Sequence, residues 1–283
     1  MNKKRGIIGN ISHFLLAAVI NVPVMLLTLF CLFPVIWMLY SSLKTEREFA
    51  LSIIAFPKTF QIQNYFNAIK VGQMNICFLN SVRASVLTVI IILVLGFVTG
   101  LIFGRYEFKF KKPLYLMFLS GMLIPVYSLL VPVFIEMKSL RLNDNIYAIS
   151  LIYAACGLPL AIFLITSYVS TIPKEIEEAA IIDGANFNAI IFKIMMPICL
   201  PILGTVLILS FLNAWNEFPF ALVLLGKSTK TIPIGLTYFT GMYSVKYTQL
   251  MAGLSIATLP VVIIYFICYK KIIAGMVAGS VKG

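Results

Sequence analysis

Acidic side chains are scarce in this 283-residue sequence, which has ten Asp and Glu against 22 Lys and Arg, one histidine and two tryptophans. Each shortage weighs against a class of chemistry. A single His, His13, leaves no histidine relay for a proton-driven carrier. Neither His-Glu-x-x-His nor Gly-x-Ser-x-Gly occurs, so an intramembrane enzyme has no metal set or nucleophile motif to work with. Cys31, Cys156, Cys199 and Cys268 lie in apolar runs and Cys77 sits near a loop; with no paired spacing, neither a disulfide framework nor a zinc site is indicated. What fills the chain is apolar, at 61% hydrophobic residues and a mean hydropathy of +1.01. These values lie far outside the range of soluble domains and describe an all-α polytopic membrane protein. The basic surplus falls mostly in short loops and near the ends, the pattern of orientation signals and not of a nucleic-acid surface.

Lys3-Lys4-Arg5 before an apolar run resembles the start of a signal peptide. The run over 14–40 is too long for a cleavable core and no small-residue cleavage pattern follows it, so it reads as a retained first span. Further windows of spanning length cover 80–103, 113–135, 146–169, 199–225 and 250–269. Six spans put both termini on one side. The densest basic cluster, Arg105, Lys109, Lys111 and Lys112, shares that side with Lys3, Lys4, Arg5, Lys270 and Lys271, which marks it as cytoplasmic. Lys44, Arg47, Lys58 and Lys70 fall in a long first external loop, where charge says less about orientation.

Four of the ten acids crowd into 175–184, Glu-Ile-Glu-Glu-Ala-Ala-Ile-Ile-Asp-Gly, between spans four and five. Thr171 and Pro173 suit a helix start, Glu175, Glu177 and Glu178 complement the positive end of its dipole, and Gly184 supplies a stop, so the pattern predicts a helix over 173–183. Ile176, Ala179, Ala180 and Asp183 recur at the spacing of one face, and the small Ala side chains let a neighbouring surface approach the backbone. A helix lying on lipid would carry Lys, Arg and bulky apolar residues instead of glutamates facing an anionic leaflet. Docking to a protein partner is therefore the favoured reading.

Glu178-Ala179-Ala180, three residues, Gly184, nine residues and Ile194-Met195-Met196-Pro197 resemble the EAA signature of ABC importer permeases. The one departure, Met196 where the family usually has Leu, conserves apolar bulk. Ser41-Ser42-Leu43-Lys44, Asn80-Ser81, Asp183-Gly184-Ala185, Trp215-Asn216 and the closing Gly279-Ser280-Val281-Lys282-Gly283 resemble the carbohydrate-uptake branch related to the maltose transporter, in its MalG-like form. The resemblance covers nearly the whole chain. It implies a single transmembrane domain over 1–283 in the bacterial cytoplasmic membrane, with a cytoplasmic coupling loop over about 171–197 and a cytoplasmic tail over 270–283. It further implies a second permease, two ATP-binding subunits and an extracytoplasmic sugar-binding protein as partners. Glu177, Glu178, Ala179, Ala180, Asp183 and Gly184 are then the residues that couple to the ATPase. Glu178 is expected as the polar contact, the alanines as the close-packing surface and Gly184 as the turn that sets the helix angle.

A powered importer needs a nucleotide site, and Ala221 to Gly226-Lys227-Ser228 approaches the phosphate-binding pattern but has Ala221 where its first Gly is required. No cofactor is expected on this chain; ATP and Mg belong to the partner ATPases. In span five Ser210, Asn213 and Glu217 follow one face with Asn216 beside it, so these four are substrate-pathway candidates, with hydrogen bonding between helices as the alternative and, for Glu217 before Pro219, exposure at the headgroups. Trp215 reads as a sugar-stacking ring or an interfacial anchor, and Arg83 as a snorkelling side chain. A stand-alone secondary transporter or channel is the second reading of the whole chain.

Overall fold

Apolar segments in a lipid solvent fold as helices because each backbone N–H and C=O must find its partner within the segment. The computed structural model describes residues 2–241 and 245–280, with side chains described for 19–241 and 245–267. The side chains of Lys3, Lys4, Arg5, His13, Cys268, Lys270 and Lys271, and the closing Val281-Lys282-Gly283, lie outside the described residues. Among the described residues every regular element is helical. Residues 1–70 with 239–255 form one unit and 71–238 with 256–283 another. The first contains α1 (Asn2–Ser41), α2 (Glu46–Leu51) and most of α3 (Gln63–Val71). The second contains α4 (Met74–Arg105), α5 (Lys111–Ser120), α6 (Leu130–Ser139), α7 (Ile146–Val169), α8 (Glu175–Ile182), α9 (Phe187–Ala189), a π-helical stretch Ile190–Met195, α10 (Met196–Ile198), α11 (Leu200–Asn216), α12 (Pro219–Leu224) and α13 (Ile232–Leu236). The last helix, α14 (Tyr247–Ser280), begins in the first unit and continues in the second.

Among the described residues four segments are long and apolar enough to span alone: Val19–Ser41, Met74–Arg105, Ile146–Val169 and Tyr247–Ile267. The remaining two spans are bent pairs, giving up to six. The third, expected as one run over 113–135, turns through 90° between Lys111–Leu123 and Val126–Ser139. Pro125 causes the break, since it has no N–H to donate and holds Ile124 in extended backbone, φ −78 and ψ 122. The fifth, expected over 199–225, is approached by Phe187–Ile198, which meets Leu200–Asn216 at 72° where Pro197 and Pro201 remove two donors from the ladder. It stops early because Pro219 cannot continue α11 and instead opens α12.

In the first unit the Ser41-Ser42-Leu43-Lys44 motif is a folding device. Lys44 is buried, its Nζ donating to Ser52 O at 3.1 Å and Ile53 O at 2.8 Å beneath the Tyr40 and Phe49 rings. Asn64 Nδ2 donates to the Ser42 and Lys44 carbonyls, and Thr45 with Glu48 forms a capping box that starts α2.

In the second unit α4 and α7 pack most closely, with α11 against both. Gly96, Gly100 and Gly104 of α4 face Ala161, Ile165 and Val169 of α7; a Cβ at Gly100 would stand 2.7 Å from Ile165 Cβ and one at Gly104 2.6 Å from Val169 Cγ1. Small residues at this repeat let two helices approach to backbone distance. Polar ties cross the same seam, Thr88 Oγ1 donating to Ser150 O at 3.2 Å and Thr166 Oγ1 to Gly100 O at 3.3 Å. Asn145 caps α7 by accepting from the Tyr147 and Ala148 amides.

Candidate functional site

Beyond α7 the chain makes the acidic helix that the sequence pattern predicts, starting slightly later. Thr171 does not open it: its Oγ1 donates back to Tyr168 O at 2.7 Å and so closes α7. Helix α8 begins at Glu175, with Glu175, Glu177 and Glu178 in its first turn. It ends in a Schellman motif. Gly184 takes φ +80, its N–H donates to Ile181 O at 3.0 Å, and the Ala185 N–H reaches Ala180 O at 2.9 Å.

The two faces of α8 differ. Ala180 is buried in the core cluster of this unit, beside Ile172 and Ile190, and Glu177 also turns inward. Glu178, Ala179, Asp183 and Gly184 are exposed, together with Glu175, Ile176, Ile181 and Ile182. The 85% exposure of Ile182 is the feature that sequence reasoning passed over, an aliphatic side chain presented to solvent beside carboxylates. Ala179 and Ala180 therefore divide between the faces where one shared surface was expected.

Glu177 meets Arg105, the last residue of α4. Arg105 Nε lies 2.5 Å from Glu177 Oε1, with the side chains 4% and 18% exposed, and Arg105 Nη1 donates to Ile172 O at 2.7 Å. The Nε–H is not aligned on the carboxylate as a hydrogen bond, so the contact is an ion pair. Nearby, the Lys111 ammonium bonded to Glu107 holds that carboxyl below its ordinary range, and Lys174 adds to the effect.

Midway along α4, a cavity of about 500 Å³ opens among α4, α7, α11 and the break of span three. Thr88, Tyr127, Tyr153, Ser210, Asn213 and Glu217 supply its polar groups, and Ile92, Pro125 and Phe220 are among its apolar walls. Three of the four candidates from span five, Ser210, Asn213 and Glu217, line it. Asn216 does not; it is exposed and its Nδ2 donates to Leu212 O of its own helix at 3.0 Å. Glu217 Oε1 accepts from Phe220 N at 2.7 Å, and Oε2 accepts from Ala221 N at 3.0 Å and Tyr153 Oη at 2.5 Å. Its carboxylate thus caps α12 while bordering the cavity. Tyr127 and Tyr153 carried no sequence signal, because an aromatic in an apolar run looks the same whether it faces a cavity or a neighbour.

Other motif residues prove to be framework. Trp215 is 2% exposed, stacked on Phe211 and edge-on to Phe78, with Nε1 donating to Ala257 O at 3.1 Å; it neither anchors at an interface nor offers a ring face. Asn80 Nδ2 donates to the Ser228 and Lys230 carbonyls, and Ser81 Oγ accepts from the Ile232 amide, fastening the loop after α12. In the Gly226-Lys227-Ser228 segment the Gly226 N–H is taken by Asp144 Oδ1 at 2.8 Å and Thr229 also donates to that carboxylate, which settles this loop as a structural turn. Arg83 is exposed.

Comparison with known proteins is consistent with this geometry. A Caldicellulosiruptor ABC transporter permease protein, ORF2, is 35% identical over 252 residues, covering 88% of this chain and 91% of its own. SmoH of Agrobacterium fabrum, a sulfoquinovosyl glycerol transport system permease protein, is 30% identical over 254 residues, covering 89% of each. In fold the chain resembles a crystal structure of a bacterial ABC transporter involved in import of the acidic polysaccharide alginate, with a TM-score of 0.77 and 22% identity over 92% of this chain and 97% of that one. Residues 96–277, which include α8, the Arg105 pair and the cavity-lining part of α11, match the family described as binding-protein-dependent transport system inner membrane component. The chain belongs to that family: it is a membrane-spanning permease component of an ABC transporter and not an enzyme.

Proposed function

We propose that this chain forms one half of the translocation pathway of an ATP-driven importer for a sugar or oligosaccharide. A second permease supplies the other half, two ATP-binding subunits sit on the α8 side, and an extracytoplasmic binding protein delivers the solute. The observation that carries this reading is the outward face of α8, where Ile176, Ile181 and Ile182 stand exposed among Glu175, Glu178 and Asp183. Exposed aliphatics rimmed by charge are the composition of a protein-docking surface. The cargo class is supported by the sulfoquinovosyl glycerol named for one relative, with alginate named for a structural neighbour, and by a cavity that combines tyrosine rings with hydroxyl and amide groups. Basic residues at the Arg105 end support a cytoplasmic α8 with both termini on the same side. ATP and Mg bind the partner subunits.

Closure of the ATPases displaces α8 as a lever, and the spans swing between inward-facing and outward-facing states around the cavity. The solute biases this two-state element only through its differential affinity for the two states. Glu178 makes the polar contact with the ATPase, Ala179 admits its close approach, and Gly184 sets the angle of the lever. Asn213 and Ser210 offer hydrogen bonds to passing hydroxyls.

The test is mild-detergent purification of the tagged chain from its native membrane, with mass spectrometry of the recovered partners, followed by uptake of labelled oligosaccharides into proteoliposomes. Recovery of an ATPase and a second permease, with uptake that requires internal ATP, is the expected result. A chain recovered alone and monodisperse, transporting without ATP, overturns the reading in favour of a secondary carrier or channel.

A further inference from the structure

An arginine at the end of a spanning helix ordinarily extends toward lipid headgroups. Arg105 does the reverse. Its side chain is folded beneath the loop that follows α7, where it meets the Ile172 carbonyl and the Glu177 carboxylate. Arg105 and Glu177 lie 72 positions apart in the sequence and are joined only by the fold.

The location matters because α8 is attached to the spans by two short connections. Before it runs the turn 170–174, and after it stands Gly184 in the left-handed region, with open space around the position a Cβ would take. The apolar contact that Ala180 makes is small and non-directional. The guanidinium adds a directional hydrogen bond to the Ile172 carbonyl and a charge pair with Glu177, so one buried cation holds acceptors on two different segments at once. Through Ile172 it grips the chain leaving α7, and through Glu177 it grips α8 itself.

We propose that Arg105 is the positioning residue for energy coupling in this permease. It locks α8 to the ends of α4 and α7, so that displacement of α8 is passed to spans two and four instead of being absorbed at the 170–174 turn and at Gly184. This rests on the transport reading above. It assigns Glu177 to the inside of the permease, as the receiving end of the lock, and leaves Glu178 and the exposed isoleucines to meet the ATPase.

The experiment uses the assembled complex in proteoliposomes, with solute uptake and ATP hydrolysis measured in the same preparation for wild type, Arg105→Lys, Glu177→Gln and the double variant. Solute moved per ATP hydrolysed is expected to fall about tenfold in each single variant, and no further in the double variant, because both substitutions break one lock. Glu177→Gln is isosteric and carries the test should Arg105→Lys fail to accumulate. If the variants lower only the amount of complex recovered, and each recovered complex moves as much solute per ATP as wild type, the pair is merely structural and the proposal is overturned. A strictly additive double variant also overturns it. Absence of ATP-driven uptake in the wild-type complex strikes the transport reading itself, a result distinct from either.

Discussion

At Gly184 the backbone lies at φ +80, a region that costs an L-residue about 1 kcal/mol. A Cβ there meets nothing of this chain within 4 Å. Gly184→Ala and Gly184→Leu should therefore lower thermal stability of the isolated chain by a similar, modest amount. Uptake by the assembled complex should separate them: with a docked partner near Gly184, the leucine variant loses far more transport than the alanine variant. Equal transport by the two, measured beside equal melting temperatures, would remove Gly184 from the docking surface. The glycine was legible in the sequence as a helix stop, because few other residues take that conformation. Arg105 was legible only as a charge, since nothing in a linear pattern pairs it with a carboxylate in another segment. Trp215 and Asn80 stood out as motif residues, and their use in the framework became visible only with Phe78, Ala257 and the 228–230 carbonyls in place.

Among elements, α8 was readable because each end carries its own chemistry, acids at the start and glycine past the end. The two bent spans were not, for an apolar run keeps the same composition on both sides of a proline, and Pro159 inside α7 shows that a proline need not end a helix. The outward face of α8 yields a clear prediction. Ile182→Ser should leave the fold of the isolated chain within about 0.5 kcal/mol of wild type, since the side chain is already in solvent, while co-purification of the ATPase drops several-fold. Unchanged recovery would show that this isoleucine is not part of the interface. The α4–α7 seam yields a contrasting pair. In Gly100→Ala the new Cβ stands 2.7 Å from the stiff, β-branched Ile165, and the variant should lose about 2 kcal/mol in detergent denaturation. In Gly157→Ala the close neighbour at 2.6 Å is the flexible tip of Ile92, which can swing aside, so the loss should be smaller. Equal losses would mean the seam has slack.

For the molecule as a whole, sidedness is the quantity that composition implies and that labelling can measure. Ile182→Cys should react with a membrane-impermeant maleimide only after the membrane is opened, and Ser228→Cys, in the loop held by Asn80, should react in intact cells. The reverse pattern would invert the topology and, with it, the direction of transport. The seam has a consequence at this scale as well. Gly96, Gly100 and Gly104 recur every four residues against Ala161, Ile165 and Val169, which recur at the same interval. Two matched repeats make a vernier with degenerate notches: slid by one turn, most of the glycines would still find a partner. What selects one notch is the set of ties that do not repeat, Thr88 to Ser150 near one end and Arg105 to Ile172 at the other. The polar groups in this oily chain thus act as stops on a sliding scale, and their loss would show as a population of misregistered helices before it showed as unfolding.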